Sequence, residues 1–147
     1  MAKLIKTEIL IHAKPEKIWE ILTDFQKYPT WNPFITYIEG QMNIGNKIKV
    51  KIEPPEAKAM TFKPHVTAFE TNKLMSWLGV LLFRGLFDGE HKFELIDNQD
   101  GTTTFIQSEN FIGILVPLFA KQLDNSTKNG FIEMNKKLKE LAENNNS

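Results

Sequence analysis

Three side chains able to move protons or make strong hydrogen bonds, His91, Gln107 and Glu109, stand at alternating positions within residues 87–113, among neighbours that are mostly apolar. Strand alternation puts Phe87, Gly89, His91, Phe93 and Leu95 on one side and Asp88, Glu90, Lys92 and Glu94 on the other. A second run repeats the pattern: Thr103, Phe105, Gln107, Glu109 and Phe111 share a side, and Asn98, Gln99, Asp100 and Gly101 between the runs mark a hairpin turn. Both inward sets are odd-numbered, so facing residues must have numbers that sum to an even value. A sum of 200 sets His91 against Glu109, and a sum of 198 sets it against Gln107. In either register an imidazole faces a polar partner among aromatic rings. Such a group can hydrogen-bond a ligand or act as a general base. Polar groups on a face that should be core point to a face lining a cavity, because a buried carboxylate must be paired, protonated or wet.

The elements that must position these groups follow from the rest of the chain. Residues 4–11 read as a first strand, and Pro15 and Glu16 open a helix whose apolar side is Ile18, Trp19, Ile21 and Leu22. Residues 24–33 form a short helical or irregular piece interrupted by Pro29 and Pro33, with Tyr28 and Trp31 as aromatic anchors. Residues 34–39 predict a strand. Ile48, Val50 and Ile52 alternate with Lys47, Lys49 and Lys51 in the next one, which Pro54 and Pro55 end. Residues 60–69 alternate again, with Pro64 marking an edge or bulge, and residues 74–80 form the strand before the hairpin. Residues 81–86 make an apolar loop carrying Arg84, expected to be a mobile flap. The only long helical pattern spans 117–143, where Phe119, Leu123, Thr127, Gly130, Phe131, Met134, Leu138 and Leu141 recur at spacings of three and four. Gly130 costs roughly 1 kcal/mol against Ala in a helix, so a kink or a close backbone approach is expected there. A helix bent away from the sheet would leave room beneath it. Residues 144–147 are expected to fray. The class is α+β: a curved antiparallel sheet of about seven strands around one long C-terminal helix, with two short helices after strand 1.

Composition narrows the function. The 147 residues suit a single domain, 1–147, with a substantial core. Lys plus Arg equals Asp plus Glu at 18 each, so no global field attracts nucleic acid or anionic lipid. The chain has no cysteine, which excludes disulfides, thiolate metal sites and a cysteine nucleophile. His12, His65 and His91 are scattered without the spacing of a metal motif, and neither a metal nor a cofactor is expected. No apolar run approaches the ~20 residues that span a bilayer, and the N-terminus lacks a small-residue cleavage site, so a soluble cytoplasmic protein is expected.

The order of elements, with IHAKPEKIWEILTD at 11–24, YPTWNPFI at 28–35, FKPHVTAF at 62–69, LMSWLG at 74–79, GEHKFELI at 89–96 and GTTTFIQSENFIG at 101–113, resembles the SRPBCC superfamily. That group includes START lipid carriers, polyketide aromatic-ring cyclases and birch-pollen-allergen-like proteins, all with the helix-grip fold. The resemblance covers nearly the whole chain. It implies a pocket between sheet and terminal helix, with Trp31, Phe62, Trp77, His91, Phe93, Glu109 and Phe131 near it. The inward strand positions add Phe87, Phe105, Gln107 and Phe111, and the helical stripe adds Leu123 and Met134. Enzymes of the group carry acid and base groups on inward strand positions, where this chain has His91 and Glu109, with Arg84 as a weaker third candidate. The glycine-rich loop of the plant members is not matched, since 42–47 holds only Gly45.

The leading expectation is binding or transport of a small hydrophobic ligand such as a lipid, quinone or polycyclic aromatic, by a monomer or weak homodimer. The alternative is a cyclase or dehydratase with His91 as base and Glu109 as its orienter. A third is a partner-binding module using the 81–86 loop and the lysine strand. No GxSxG elbow is present, and parity gives a single inward acid, so hydrolase and glycosidase chemistry fit poorly.

Overall fold

Period-two alternation and a late amphipathic helix build an α+β molecule whose layers are a curved antiparallel sheet and one long helix. The structure, a computed structural model, describes residues 2–144; the fraying expected for 144–147 lies outside the described residues except at Asn144. β1 (Ala2–Ile11) leads to α1 (Pro15–Thr23), a 3-10 turn (Phe25–Lys27) and α2 (Tyr28–Trp31). Five strands follow: β2 (Ile35–Glu39), β3 (Lys49–Ile52), β4 (Met60–Phe62), β5 (His65–Glu70) and β6 (Leu74–Val80). The hairpin β7 (Asp88–Asp97) and β8 (Thr103–Ile112) precedes α3 (Val116–Gln122), a π-turn (Leu123–Thr127) and α4 (Lys128–Glu143).

Among the described residues there are eight strands, because the predicted strand over 60–69 divides at Pro64, which has no N–H to give to a ladder. β1-β8-β7-β6-β5 form one antiparallel sheet and β2-β3-β4 another. The two are sewn together just before β3: Ile48 N donates to Pro64 O at 2.9 Å, Val66 N to Asn46 O at 2.9 Å and Gly45 N to Val66 O at 2.8 Å. Register shifts at Ile35/Tyr37 and Val66/Ala68 bend the strands and help the surface curl around the helix.

One hydrophobic cluster fills the concave side, running from Ile5 and Ile11 on β1 through Trp77, Phe93 and Phe105 to Phe131, Met134 and Leu138 on α4. α1 closes one end with Ile18, Trp19 and Leu22, and the Tyr28 hydroxyl donates to Leu22 O at 2.5 Å while burial pushes its pKa up. Gly130 does have a reason. A Cβ there would run into the Phe34 ring, so the glycine allows the ring to press on the helix backbone. The room expected beneath a bent helix is therefore taken by Phe34, which is 1% exposed. No described helix is long and apolar enough to cross a membrane.

Candidate functional site

The hairpin settles the register. His91 lies opposite Glu109, and the row continues to Trp77 on β6 and Ile5 on β1. The adjacent inward row is Met75, Phe93, Gln107 and Thr7, which makes Gln107 the diagonal neighbour of His91. His91 therefore uses both candidate partners: Nδ1 is 3.1 Å from Glu109 Oε1, and Nε2 is 2.9 Å from Gln107 Oε1. The side chains of His91 and Glu109 are 5% and 15% exposed, so the carboxylate is the more accessible end of the pair.

The hydrogen-bond directions can be read outward from two main-chain carbonyls, which only accept. Thr7 Oγ1 donates to Gln107 O at 3.1 Å, which leaves its lone pair to accept from Asn135 Nδ2 at 2.9 Å. Asn135 Oδ1 then accepts from Gln107 Nε2 at 2.8 Å, and the same nitrogen reaches Phe131 O at 3.4 Å. Gln107 Oε1 is thereby turned to His91, whose Nε2 must carry a hydrogen. Nδ1 then faces the Glu109 carboxyl group, within hydrogen-bond distance of Oε1.

Aromatic rings enclose this pair. Trp77 stacks on the imidazole at 5.3 Å with an interplanar angle of 8°, and Phe34 lies roughly parallel at 6.4 Å. Phe93 and Phe131 meet it edge-on at 5.0 and 5.1 Å. Phe105 packs behind Phe93 at 5.7 Å, and Met134 is fully buried on the same helix face as Phe131. Toward the loop end of the sheet the next inward row pairs Gly79 with Gly89 and Gly89 with Phe111. These glycines make room: a Cβ at Gly89 would strike Glu109 Oε2, and one at Gly79 would touch Phe62 at 3.5 Å. Phe111 leads on to Phe87 at 5.6 Å, and Phe87 to Phe119 at 5.4 Å. Phe119 is half in solvent and lines an open surface cleft of about 650 Å³ with Met60, Lys121 and Gln122. Leu123 is buried in the π-turn behind it. A file of rings thus connects the cleft to the carboxylate.

Trp31 stands apart, packed edge-on against Tyr28 at 5.3 Å. Arg84 is exposed on its loop. Sequence reasoning missed Phe34, Thr7 and Asn135. Thr7 was detectable as an odd-numbered polar residue in an inward apolar run, and Asn135 as a polar residue one helical turn after Phe131. Among the described residues no three His, Asp or Glu side chains converge as a metal site.

A family model described as "Polyketide cyclase / dehydrase and lipid transport" matches residues 3–143. A search of curated proteins gives no significant match. The fold is similar to that of the Zhui aromatase/cyclase from Streptomyces sp. R1128, with a TM-score of 0.77, 10% identity, and 97% of this chain and 94% of that one covered. It is similar to norcoclaurine synthase of Thalictrum flavum, crystallised as a point mutant with a transition-state analogue, at a TM-score of 0.73, 14% identity and 100% and 98% coverage. Ara h 8.0201 aligns at a TM-score of 0.64, 16% identity and 94% and 98% coverage. Identities this low establish a shared fold alone. With the family match over nearly its whole length and the grip of sheet on helix described above, the chain belongs to the polyketide cyclase/dehydrase and lipid transport family of SRPBCC helix-grip proteins.

Proposed function

We propose that this protein binds a small, largely apolar molecule bearing one polar group, taken up from the Phe119 cleft and hydrogen-bonded by Glu109, whose carboxylate is oriented by His91. The observation that carries the reading is the Glu109–His91–Gln107 row, held in fixed orientation among aromatic rings and joined to the surface cleft by Phe111, Phe87 and Phe119. A purely structural core would gain little from such a row, since each buried polar atom must be matched. The family description, which spans cyclases and lipid transport, supports the same class of ligand. Trp77, Phe93 and Phe131 would supply apolar walls, and Phe62, Phe105, Leu123 and Met134 would back them. Burying about 300 Å² of ligand at roughly 25 cal/mol per Å² gives a gross gain of about 7 kcal/mol before association costs.

The contact between Glu109 and His91 supports a second reading, an acid–base enzyme. In a dehydration, the Glu109 carboxylate would take the proton α to a carbonyl and deliver it to the departing hydroxyl, leaving an enone and water, with His91 as its orienter. Fluorescence titration with naphthalene and with 2-naphthol tests the first reading. Wild-type protein is expected to prefer the naphthol, and Glu109→Gln is expected to weaken naphthol binding about tenfold while leaving naphthalene nearly unchanged. Equal loss for both probes would overturn the polar role. Loss of water from an aromatic β-hydroxyketone, abolished by Glu109→Gln, would favour the enzyme.

A further inference from the structure

We infer that the end of the molecule formed by residues 80–86 and 112–119 is a docking surface for an anionic lipid membrane. Of the fourteen large hydrophobic residues left exposed among the described residues, eight fall in these two short stretches: Val80, Leu81, Leu82, Phe83, Ile112, Ile114, Leu118 and Phe119. Leu82 is 85% exposed, Ile114 and Leu118 are each 74% exposed, and Phe83 is 59% exposed. The two stretches form one surface, because Ile114 N donates to Gly85 O and Leu115 N to Leu86 O, both at 3.0 Å. Gly113, at φ +144°, permits the approach; a Cβ there would collide with Leu86 O.

The loop is built to present its side chains outward. Leu81 N is bonded to Phe87 O at 3.1 Å, Phe83 N to Leu81 O at 2.7 Å, and Gly85 N to Asp88 Oδ2 at 3.1 Å. Leu82 sits at φ +63°, a conformation costly for a residue with a Cβ and found where the surroundings impose it. The charge pattern selects the partner. Within 80–88 and 112–122 the exposed charges are Arg84 and Lys121, and the one acid, Asp88, is buried against the Gly85 amide. The chain as a whole is balanced at 18 of each sign, and Glu56 lines the Phe119 cleft together with Lys121, so the cation at the apolar tip itself is Arg84, next to Leu82 and Phe83. Apolar tips with a cation beside them match the layered chemistry of a bilayer surface, acyl chains beneath anionic headgroups. The same end carries the Phe119 cleft, so a ligand could pass from bilayer to protein without crossing water. That purpose rests on the proposed ligand binding, whereas the docking does not.

Flotation of the full chain with vesicles provides the test. Binding is expected to vesicles of equal parts phosphatidylcholine and phosphatidylserine, with weaker binding to phosphatidylcholine alone and weakening at raised salt. The double variant Leu82→Asp, Phe83→Asp is expected to lose at least about tenfold in vesicle affinity, since each buried side chain is worth about that factor or more. Arg84→Glu, a single change at an exposed tip, is expected to lose several-fold on the anionic vesicles alone. No binding by the wild type, or equal binding by all three proteins, would overturn the proposal. So would a wild-type dimer that the double variant turns into a monomer with vesicle binding unchanged, which would make the patch a self-association face. Naphthol binding measured without vesicles keeps the two proposals separate: vesicle binding without naphthol binding sinks only the ligand reading, and the converse sinks only the docking.

Discussion

At the scale of single residues, the site depends on a glycine as much as on its charged groups. Gly89 has no side chain to lose, yet the space where its Cβ would be is where Glu109 Oε2 lies. Gly89→Ala should push the carboxylate off the imidazole while leaving Gln107 in place, because Gln107 is held from the other side by Phe131 O and Asn135. The imidazole nitrogen signals of His91 should then change at Nδ1 and persist at Nε2, with a stability loss of about 1–2 kcal/mol in denaturant melts. A uniform change at both nitrogens would show that the two hydrogen bonds are not independently supported. The relay to Thr7 matters for the same reason: every atom in it is oriented by a neighbour, so Gln107 cannot flip without leaving a buried donor unpaired.

At the scale of elements, the terminal helix shows packing overruling intrinsic preference. Helix propensity alone says Gly130→Ala should stabilise α4 by about 1 kcal/mol. The Phe34 ring occupies the position the new methyl would need, and forcing extra volume into a packed core costs about 1–3 kcal/mol. Net destabilisation is expected, together with a favourable coupling to Phe34→Leu in a double-mutant cycle. Additive losses would mean that the ring and the helix backbone are less tightly matched than the structure indicates. The π-turn at Leu123–Thr127 lies between α4 and α3, which places a break in regular helix next to the cleft. Such breaks often coincide with functional sites.

Across the whole molecule, the last turn of α4 is tied to the end of the first strand. Glu143 Oε2 accepts from His12 N at 2.8 Å and from Lys139 Nζ at 2.6 Å, and Lys139 also donates to Leu10 O at 2.8 Å. The His12 main-chain N–H first, then the Lys139 ammonium, hold the Glu143 pKa down to about 2 from 4.5. Because the folded value is depressed, this contribution is complete above the unfolded value of 4.5 and is lost as pH falls toward about 2. Glu143→Gln should flatten the stability profile across that window. The cost near neutral pH should be no more than about 1 kcal/mol, since the group is partly exposed and screened. An unchanged acid limb in thermal melts of the variant would remove Glu143 from the account.

The sequence by itself determined the order of elements, the inward parity of His91, Gln107 and Glu109, and the amphipathic terminal helix, because alternation and 3.6-residue periodicity are local properties of the chain. It marked Pro64 as a disturbance and Gly130 as in need of a reason, but named neither the split strand nor the ring against the helix. The register of the hairpin, the closing of the relay through Thr7 and Asn135, and the placing of Phe34 on the imidazole were decided only in three dimensions. Thr7 and Asn135 are 128 residues apart in the chain and 2.9 Å apart in the fold. No local pattern encodes such a distance: it is set by how far the sheet curls and how closely a glycine lets the helix approach, both of which are properties of the packed whole.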